Sequence, residues 1–188
     1  MKYSEFRKIN LSNVSIFIND FWIINEVFIK SKNKNSNFLF VFYEGPPSTN
    51  GLPGIHHMLS RTIKDVFCRY KTLKGYLVER KAGWDSHGLP IELNIEKYLK
   101  VNKEDIGNKI TIKDYNNECY KSIMHYKFRW ELLTNKMGYW IDMNNSYITF
   151  NSLFIESVWY IVKKLSKKKM LYKGYSIQPY SPAAGTSL

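Results

Sequence analysis

The sequence predicts an α/β fold built around a parallel sheet, and three features in the first half of the chain support this. A short apolar run at residues 38–43 leads into a loop rich in glycine and proline. An amphipathic segment and a strand-like segment at residues 77–81 follow. A strand, a helix and a second strand in this order form a βαβ unit with parallel strands. The loops after both strands then lie at one edge of the sheet, where ligands bind in open α/β folds.

A helical segment precedes the sheet. Apolar residues recur at the spacing of one helix face between residues 13 and 28, whereas residues 30–37 contain none. Residues 1–37 are therefore predicted to form a helical extension and a solvated linker. The next six residues, 38–43, are all apolar or aromatic, which is typical of a strand buried on both faces of a parallel sheet.

The predicted helix of the βαβ unit begins near His57. Its apolar positions share one face, and Gly75 stands where a glycine commonly ends a helix. The apolar positions are Leu59, Ile63, Val66, Phe67 and Tyr70.

Helices predominate after Pro90. Apolar repeats predict helices over residues 91–99, 112–138 and 152–170. Trp130, Trp140 and Trp159 lie in helical apolar patterns and are expected to pack in the core. Residues 171–188 favour short extended segments, and no closing strand-helix-strand pattern follows. The chain is therefore expected to stop before its domain is complete, which leaves an unpaired strand edge and an uncovered apolar face at residues 38–43 or beside them.

Composition narrows the functional classes. The 188 residues carry 28 Lys and Arg against 16 Asp and Glu, a net charge of +12 that favours partners such as RNA, nucleotides or acidic lipid. An AT-rich genome is an alternative origin of the lysines. Cys68 and Cys119 lie far apart in apolar patterns, which indicates reduced, buried thiols and a cytoplasmic location. No stretch approaches the roughly 18 apolar residues that a membrane span requires, so no membrane partner is expected.

The first loop, residues 46–57, has the chemistry of an anion site. It places glycines and two histidines, His56 and His57, at the start of a helix, where backbone N–H groups and the helix dipole attract negative charge. A histidine there can donate to phosphoryl oxygens. The alternative is a turn with two surface histidines, and spacing alone does not decide between them.

The second loop, residues 82–92, places Asp85 and His87 between Gly83 and Gly88, directly after the second strand. A carboxylate in this position could hold a cationic group of a second substrate. An aspartate after a strand is, however, more often a turn or capping residue.

Several motifs together resemble the class I aminoacyl-tRNA synthetases over nearly the whole chain, and most closely their isoleucine-specific members. They are F-Y-E-G-P-P-S-T-N-G-L-P-G-I-H-H, R-T-I-K-D, R-Y-K-T-L-K-G-Y, A-G-W-D-S-H-G-L-P-I-E, M-G-Y-W-I-D-M and E-S-V-W-Y. Valine-specific members usually differ after G-W-D, and leucine-specific members carry Phe where His87 stands. Both remain alternatives, as does a basic RNA-binding module without catalysis.

The resemblance implies the first half of a Rossmann-like nucleotide-binding domain. Residues 1–37 would be the amino-terminal extension, 38–170 the half-domain with its following helices, and 171–188 the start of the connection to an inserted editing domain. The second ATP motif, K-M-S-K-S, would lie beyond residue 188.

The resemblance also assigns roles to single residues. Pro46 would line the isoleucine pocket, and Asp85 would hold the substrate ammonium group. The nucleotide would be bound by Gly51, Gly54, His56 and His57, with His56 and His57 catalytic.

The family's H-I-G-H signature is altered in this sequence. It falls on Gly54, Ile55, His56 and His57, so glycine replaces the first histidine and a histidine replaces the usual glycine. His56 would either supply the missing imidazole from a neighbouring position or reshape the nucleotide pocket.

The activity implied is formation of isoleucyl-adenylate from isoleucine and ATP with Mg²⁺, followed by transfer to isoleucine tRNA, in a full-length monomer. Ser181 and Ala184 stand where some relatives carry the cysteines of a zinc knuckle. No metal ligand is therefore expected here, and zinc, if bound at all, would lie elsewhere in the full-length protein.

Overall fold

The computed structural model describes residues 8–33, 36–182 and 185–187 and confirms the α/β class. The chain divides into two compact units, up to Asn151 and from Ser152. The helices are α1 (Leu11–Ile24), α2 (Val27–Lys32), α3 (Ile55–Leu73), α4 (Leu89–Leu99), α5 (Ile112–Met137) and α6 (Ser152–Lys167). The strands are β1 (Leu39–Tyr43), β2 (Leu77–Trp84), β3 (Asp142–Ile148), β4 (Tyr180–Ser181) and β5 (Thr186–Ser187).

The first unit contains a three-stranded sheet in the order β1-β2-β3, with both pairs parallel. β1 and β2 pair without interruption from Leu39 opposite Leu77 to Tyr43 opposite Lys81. The pairing of β2 with β3 shifts register between Lys81 and Gly83. β2 is the central strand, and Val78, Ala82 and Trp84 on it are buried. The predicted βαβ unit is therefore confirmed as β1-α3-β2.

The third strand, β3, was not predicted. Its sequence, D-M-N-N-S-Y-I, has neither an apolar run nor a regular alternation, so no local pattern marks it as a strand. Tyr139 and Ile141 immediately before it are buried beside Ala82 of β2, and this apolar cluster positions the strand.

α3 begins and ends as the sequence predicts. Gly54 caps its amino terminus, and at the other end Gly75 has a φ of 92°, a conformation that suits glycine. The N–H groups of Gly75 and Tyr76 donate to the carbonyls of Thr72 and Lys71, which satisfies the free carbonyls of the last turn.

The predicted single amino-terminal helix is in fact two. Glu26 adopts a left-handed conformation with φ of 51° and separates α1 from α2. α1 is attached through Trp22, whose ring meets that of Trp140 edge-on at 5.1 Å. Trp140 lies in the connection between α5 and β3, so its predicted place in a helix is wrong.

Burial also departs from the prediction in two places. β1 is covered on one face only, with Leu39, Val41 and Tyr43 about half exposed or more, so the expectation of burial on both faces is wrong. The expected uncovered face is present, and among the described residues no second strand pairs with β1, as expected for a free edge. Trp159 on α6 is 67% exposed, against the expected core position, whereas Trp130 is buried.

The second unit, residues 152–187 where described, contains α6 and a two-stranded antiparallel hairpin, β4 and β5. Short extended segments were predicted here. Ser181 pairs with Thr186 in the hairpin, and Ala184 lies outside the described residues, as do residues 1–7.

Candidate functional site

The two predicted ligand loops meet at the carboxyl ends of β1 and β2. A parallel bridge joins Ser48 to Asp85: the Asp85 N–H donates to the Pro47 carbonyl at 3.0 Å, and the Thr49 N–H donates to the Asp85 carbonyl at 2.9 Å. The Ser48 hydroxyl also donates to the Asp85 carboxylate at 3.0 Å. The expectation that the two loops lie at the same edge of the sheet is thereby confirmed.

His57 lies in the first turn of α3 and is fixed by the residue that caps the helix. Its Nδ1 accepts a hydrogen bond from the Gly54 N–H at 3.0 Å, so the neutral ring carries its proton on Nε2. Burial lowers the pKa of His57 from its usual value, and the positive charges of His56 and Arg61 lower it further. A neutral imidazole with a free N–H donor is what an anion site at a helix start can use.

His56 is folded back over Gly54. A Cβ atom built on Gly54 would lie 2.8 Å from His56 Cε1, which is closer than real Cβ atoms approach, and 3.0 Å from Nδ1. The rings of His56 and His57 are 3.8 Å apart. In this rotamer the imidazole of His56 therefore occupies the space into which a side chain at position 54 would extend.

Pro46 is half-buried and immediately precedes Pro47, whose carbonyl accepts from Asp85. Gly51 is also half-buried, and its carbonyl accepts from the Trp130 indole at 3.0 Å. All six residues predicted for the site thus lie on the two bridged loops or in the first turn of α3.

Sequence reasoning missed a buried ion pair beneath the first loop. Glu44, directly after β1, is 1% exposed, and its carboxylate accepts from Arg61 of α3 at 3.0 and 3.4 Å. A buried carboxylate needs such a partner, because an unpaired charge in the interior is very costly. The pair ties the end of β1 to the helix that carries both histidines. Glu44 and Arg61 both lie in motifs noted above, but nothing in the sequence indicates that they contact each other.

Sequence reasoning also missed the support of His87. Thr149, 62 residues further along the chain, places its hydroxyl 2.8 Å from His87 Nδ1. The same hydroxyl lies 3.0 Å from the Ser86 hydroxyl and accepts from the Ser86 N–H, while the Ser86 hydroxyl accepts from the Phe150 N–H. If the buried Ser86 hydroxyl donates to Thr149, the one Thr149 proton is left for His87 Nδ1. His87 then also presents its N–H at Nε2.

Away from these loops, a groove of about 590 Å³ lies between α1, α2 and the start of β3. Within the described residues, no group of three or more His, Cys, Asp or Glu side chains could hold a metal ion. Among the described helices, none is long and apolar enough to cross a membrane. Cys68 and Cys119 are both free thiols, and burial raises the pKa of each.

Comparison with known proteins agrees with this geometry. The family model described as tRNA synthetases class I (I, L, M and V) matches residues 17–188. A LeuRS from Agrobacterium radiobacter K84, solved in a ternary complex with tRNA and LeuAMS, has a TM-score of 0.65 at 20% identity, over 93% of this chain and 20% of that one. This last likeness concerns the fold alone.

A parallel sheet whose first loop leads into a helix start and is bridged to the second loop is typical of Rossmann-like nucleotide-binding domains. The chain belongs to the class I tRNA synthetase family. It is 56% identical over its full length to the isoleucine–tRNA ligases of Cytophaga hutchinsonii and Bacteroides thetaiotaomicron, and 52% identical to that of Porphyromonas gingivalis. It spans only 16–17% of the length of these relatives.

Proposed function

We propose that this chain is the amino-terminal part of an isoleucine–tRNA ligase, which activates isoleucine with ATP and then transfers it to the terminal ribose of isoleucine tRNA. The single observation that carries the proposal is the bridge between the two loops, because it brings the loop that leads into the two histidines close to the carboxylate of Asp85. The relatives named above support the choice of amino acid.

In this proposal the start of α3 binds the nucleotide. Gly51 and Gly54 allow the backbone to approach the phosphates, and His56 and His57 donate N–H bonds to oxygens whose charge grows as the isoleucine carboxylate attacks the α-phosphorus. Pyrophosphate leaves, and no covalent bond to the protein forms. The fixed Nε2 proton of His57 supports its role as donor.

Asp85 holds the ammonium group of isoleucine and Pro46 lines its side-chain pocket. The support for Asp85 is that its position is set by backbone bonds to the first loop, which leaves the carboxylate with the Ser48 hydroxyl as its hydrogen-bond partner. A charge held in this way can pair with a substrate cation without moving.

The remaining parts of the proposal concern the whole protein. Mg²⁺ would accompany ATP on its phosphates, and zinc, if the full-length protein binds it, would lie elsewhere in that protein. We also propose domain boundaries at residues 37 and 170, a monomer at full length and a cytoplasmic location, the last supported by the two free thiols.

The test is isoleucine-dependent ATP–pyrophosphate exchange by the purified full-length protein, with valine and leucine as competitors. We expect exchange with isoleucine to be fastest, followed by valine, because one methylene separates these two and gives only about 10- to 200-fold discrimination. Faster exchange with leucine or valine would identify a sister ligase. No exchange with any of the three would favour a basic RNA-binding module.

A substitution tests the second loop separately. Asp85→Asn keeps an acceptor for Ser48 and leaves the backbone bridge intact, yet removes the charge. We expect the KM for isoleucine to rise at least tenfold, since one charge-assisted bond contributes about 1.5–3 kcal/mol, while the KM for ATP changes little. An equal loss for both substrates would mean that the crevice itself is disrupted.

A further inference from the structure

We propose that Trp130 of α5 is a positioning residue that holds the Gly51 carbonyl and the His57 ring in fixed relation, so that the nucleotide loop is organised before substrate arrives. The inference rests on the proposed adenylate-forming function. Trp130 is 73 residues beyond His57 in the chain, and its sequence pattern predicts nothing more than core packing.

Trp130 meets the loop at two points. Its indole N–H donates to the Gly51 carbonyl at 3.0 Å, in the middle of the loop. Its ring meets the His57 ring edge-on, with centroids 4.9 Å apart and planes at 77°. The side chain is 1% exposed, so neither contact has room to vary.

The indole of Trp130 also packs against the side chain of Arg61. The Arg61 guanidinium lies 5.6 Å from the Trp130 ring centroid and is bound to Glu44, which stands at the start of the loop. Arg61 also donates to the Thr134 hydroxyl at 2.8 Å, and that hydroxyl donates to the Trp130 carbonyl at 2.7 Å. Every member of this set is 2% exposed or less.

The start, middle and end of the loop thus all contact one buried cluster, which consists of Trp130, Arg61 and Thr134. Glu44 is reached through Arg61, while Gly51 and His57 touch Trp130 directly. A loop containing three glycines up to Gly54 would otherwise sample many conformations, which costs ordering entropy on binding. Trp130 removes part of that freedom in advance, and preorganised donors are the ones that accelerate a reaction.

The experiment is Trp130→Phe in the full-length protein, which keeps an aromatic ring against His57 and deletes the indole N–H. Steady-state ATP–pyrophosphate exchange gives kcat and the KM values for ATP and isoleucine. We expect kcat to fall about three- to tenfold, the equivalent of one net hydrogen bond, with the KM for isoleucine changed less than twofold. Thermal unfolding is measured on the same preparations.

Two controls separate positioning from general destabilisation. Ile123→Val removes a buried methyl group from the same helix, and Trp159→Phe changes an exposed tryptophan; both should leave kcat unchanged. If Trp130→Phe lowers the unfolding midpoint as Ile123→Val does but leaves kcat unchanged, Trp130 is only a core residue and the proposal is overturned.

A second variant covers the case in which Trp130→Phe does not fold. Arg61→Lys keeps a positive charge beside Glu44 and loses the hydrogen bond to the Thr134 hydroxyl. We expect this variant also to lower kcat, and an unchanged kcat overturns the proposal. If the unmodified protein shows no isoleucine-dependent exchange, the proposed function fails, whereas an active protein indifferent to both substitutions refutes the positioning role alone.

Discussion

At the scale of single residues, the exchange of glycine and histidine between positions 54 and 56 can be tested directly. The structure places the His56 ring where a side chain at position 54 would start, so the two positions compete for the same space. A side chain at position 54 would therefore have to displace the His56 ring from this rotamer. The substitutions at 54 and 56 should consequently be strongly non-additive.

We predict that Gly54→His alone and His56→Gly alone each slow exchange about 10²-fold, the first through crowding and the second through loss of a donor. The double variant Gly54→His/His56→Gly should recover to within about tenfold of the unmodified protein. The measurement is a double-mutant cycle on kcat. A double variant as slow as the product of the two single effects would show that the imidazoles are not interchangeable.

The protonation of His57 leads to a second prediction. Burial, His56 and Arg61 all hold its pKa below the usual value, so the folded state binds this proton less tightly than the unfolded state does. Stability attributable to His57 is therefore retained at higher pH and lost as the pH falls through the lowered pKa. Protonation also replaces the Nδ1 acceptor by a second donor facing the Gly54 N–H.

We accordingly expect the acid limb of the kcat–pH profile to lie below the ordinary histidine pKa of 6.5. In His56→Gly it should move toward higher pH, because one of the two neighbouring positive charges is gone. Profiles of the two proteins measured side by side decide the matter. If the acid limb lies at the same pH in both proteins, it reports the titration of a group other than His57.

At the scale of secondary-structure elements, local signals predicted β1, α3 and β2 well. The apolar run, the glycine-rich loop and Gly75 each depend on nearby residues. β3 was missed because its polar sequence has no strand pattern of its own, and α1 was predicted too long because Glu26 adopts a conformation that is unusual for its residue type. The contacts of Trp130 with Gly51 and of Thr149 with His87 join residues that only the folded chain brings together.

The packing of β2 against β3 gives a prediction at this scale. A Cβ atom on Gly83 would lie 2.2–2.5 Å from three atoms of the Tyr147 side chain, whose hydroxyl donates to the Glu44 carbonyl. Gly83→Ala must displace Tyr147, at a cost of about 1–3 kcal/mol, and should lower the unfolding midpoint by about 2–10 °C. Gly45→Ala, where no atom lies within 4 Å, is the matched control. Equal midpoints for the two variants would contradict the close approach.

At the scale of the whole molecule, the exposed apolar surfaces of residues 1–188 affect how these residues fold and associate when they are expressed alone. In the part of the chain that the structure describes, β1 pairs with β2 alone and has an exposed face, and α3 exposes an apolar stripe that includes Leu59, Ile63 and Phe67. Unpaired strand edges and large apolar patches favour association with other chains. Binding crevices of open α/β sheets also need walls from both halves of the sheet.

We therefore predict that residues 1–188 expressed alone activate isoleucine poorly or not at all and do not charge tRNA. The fragment and the full-length protein should be assayed side by side for ATP–pyrophosphate exchange, with circular dichroism and size-exclusion chromatography to report folding and association. Robust isoleucine-dependent exchange by a monomeric fragment would show that one half of the sheet suffices.

The backbone bridge between Ser48 and Asp85 also links the thermodynamics of the two loops. The N–H groups of Thr49 and Asp85 donate across it in opposite directions, so one loop cannot become ordered while the other stays loose. A ligand that immobilises the first loop removes conformational entropy from both, and a ligand arriving at the second loop then loses less. Two small molecules held by different loops would in this way bind cooperatively, and linkage makes the gain in affinity equal in either order of addition.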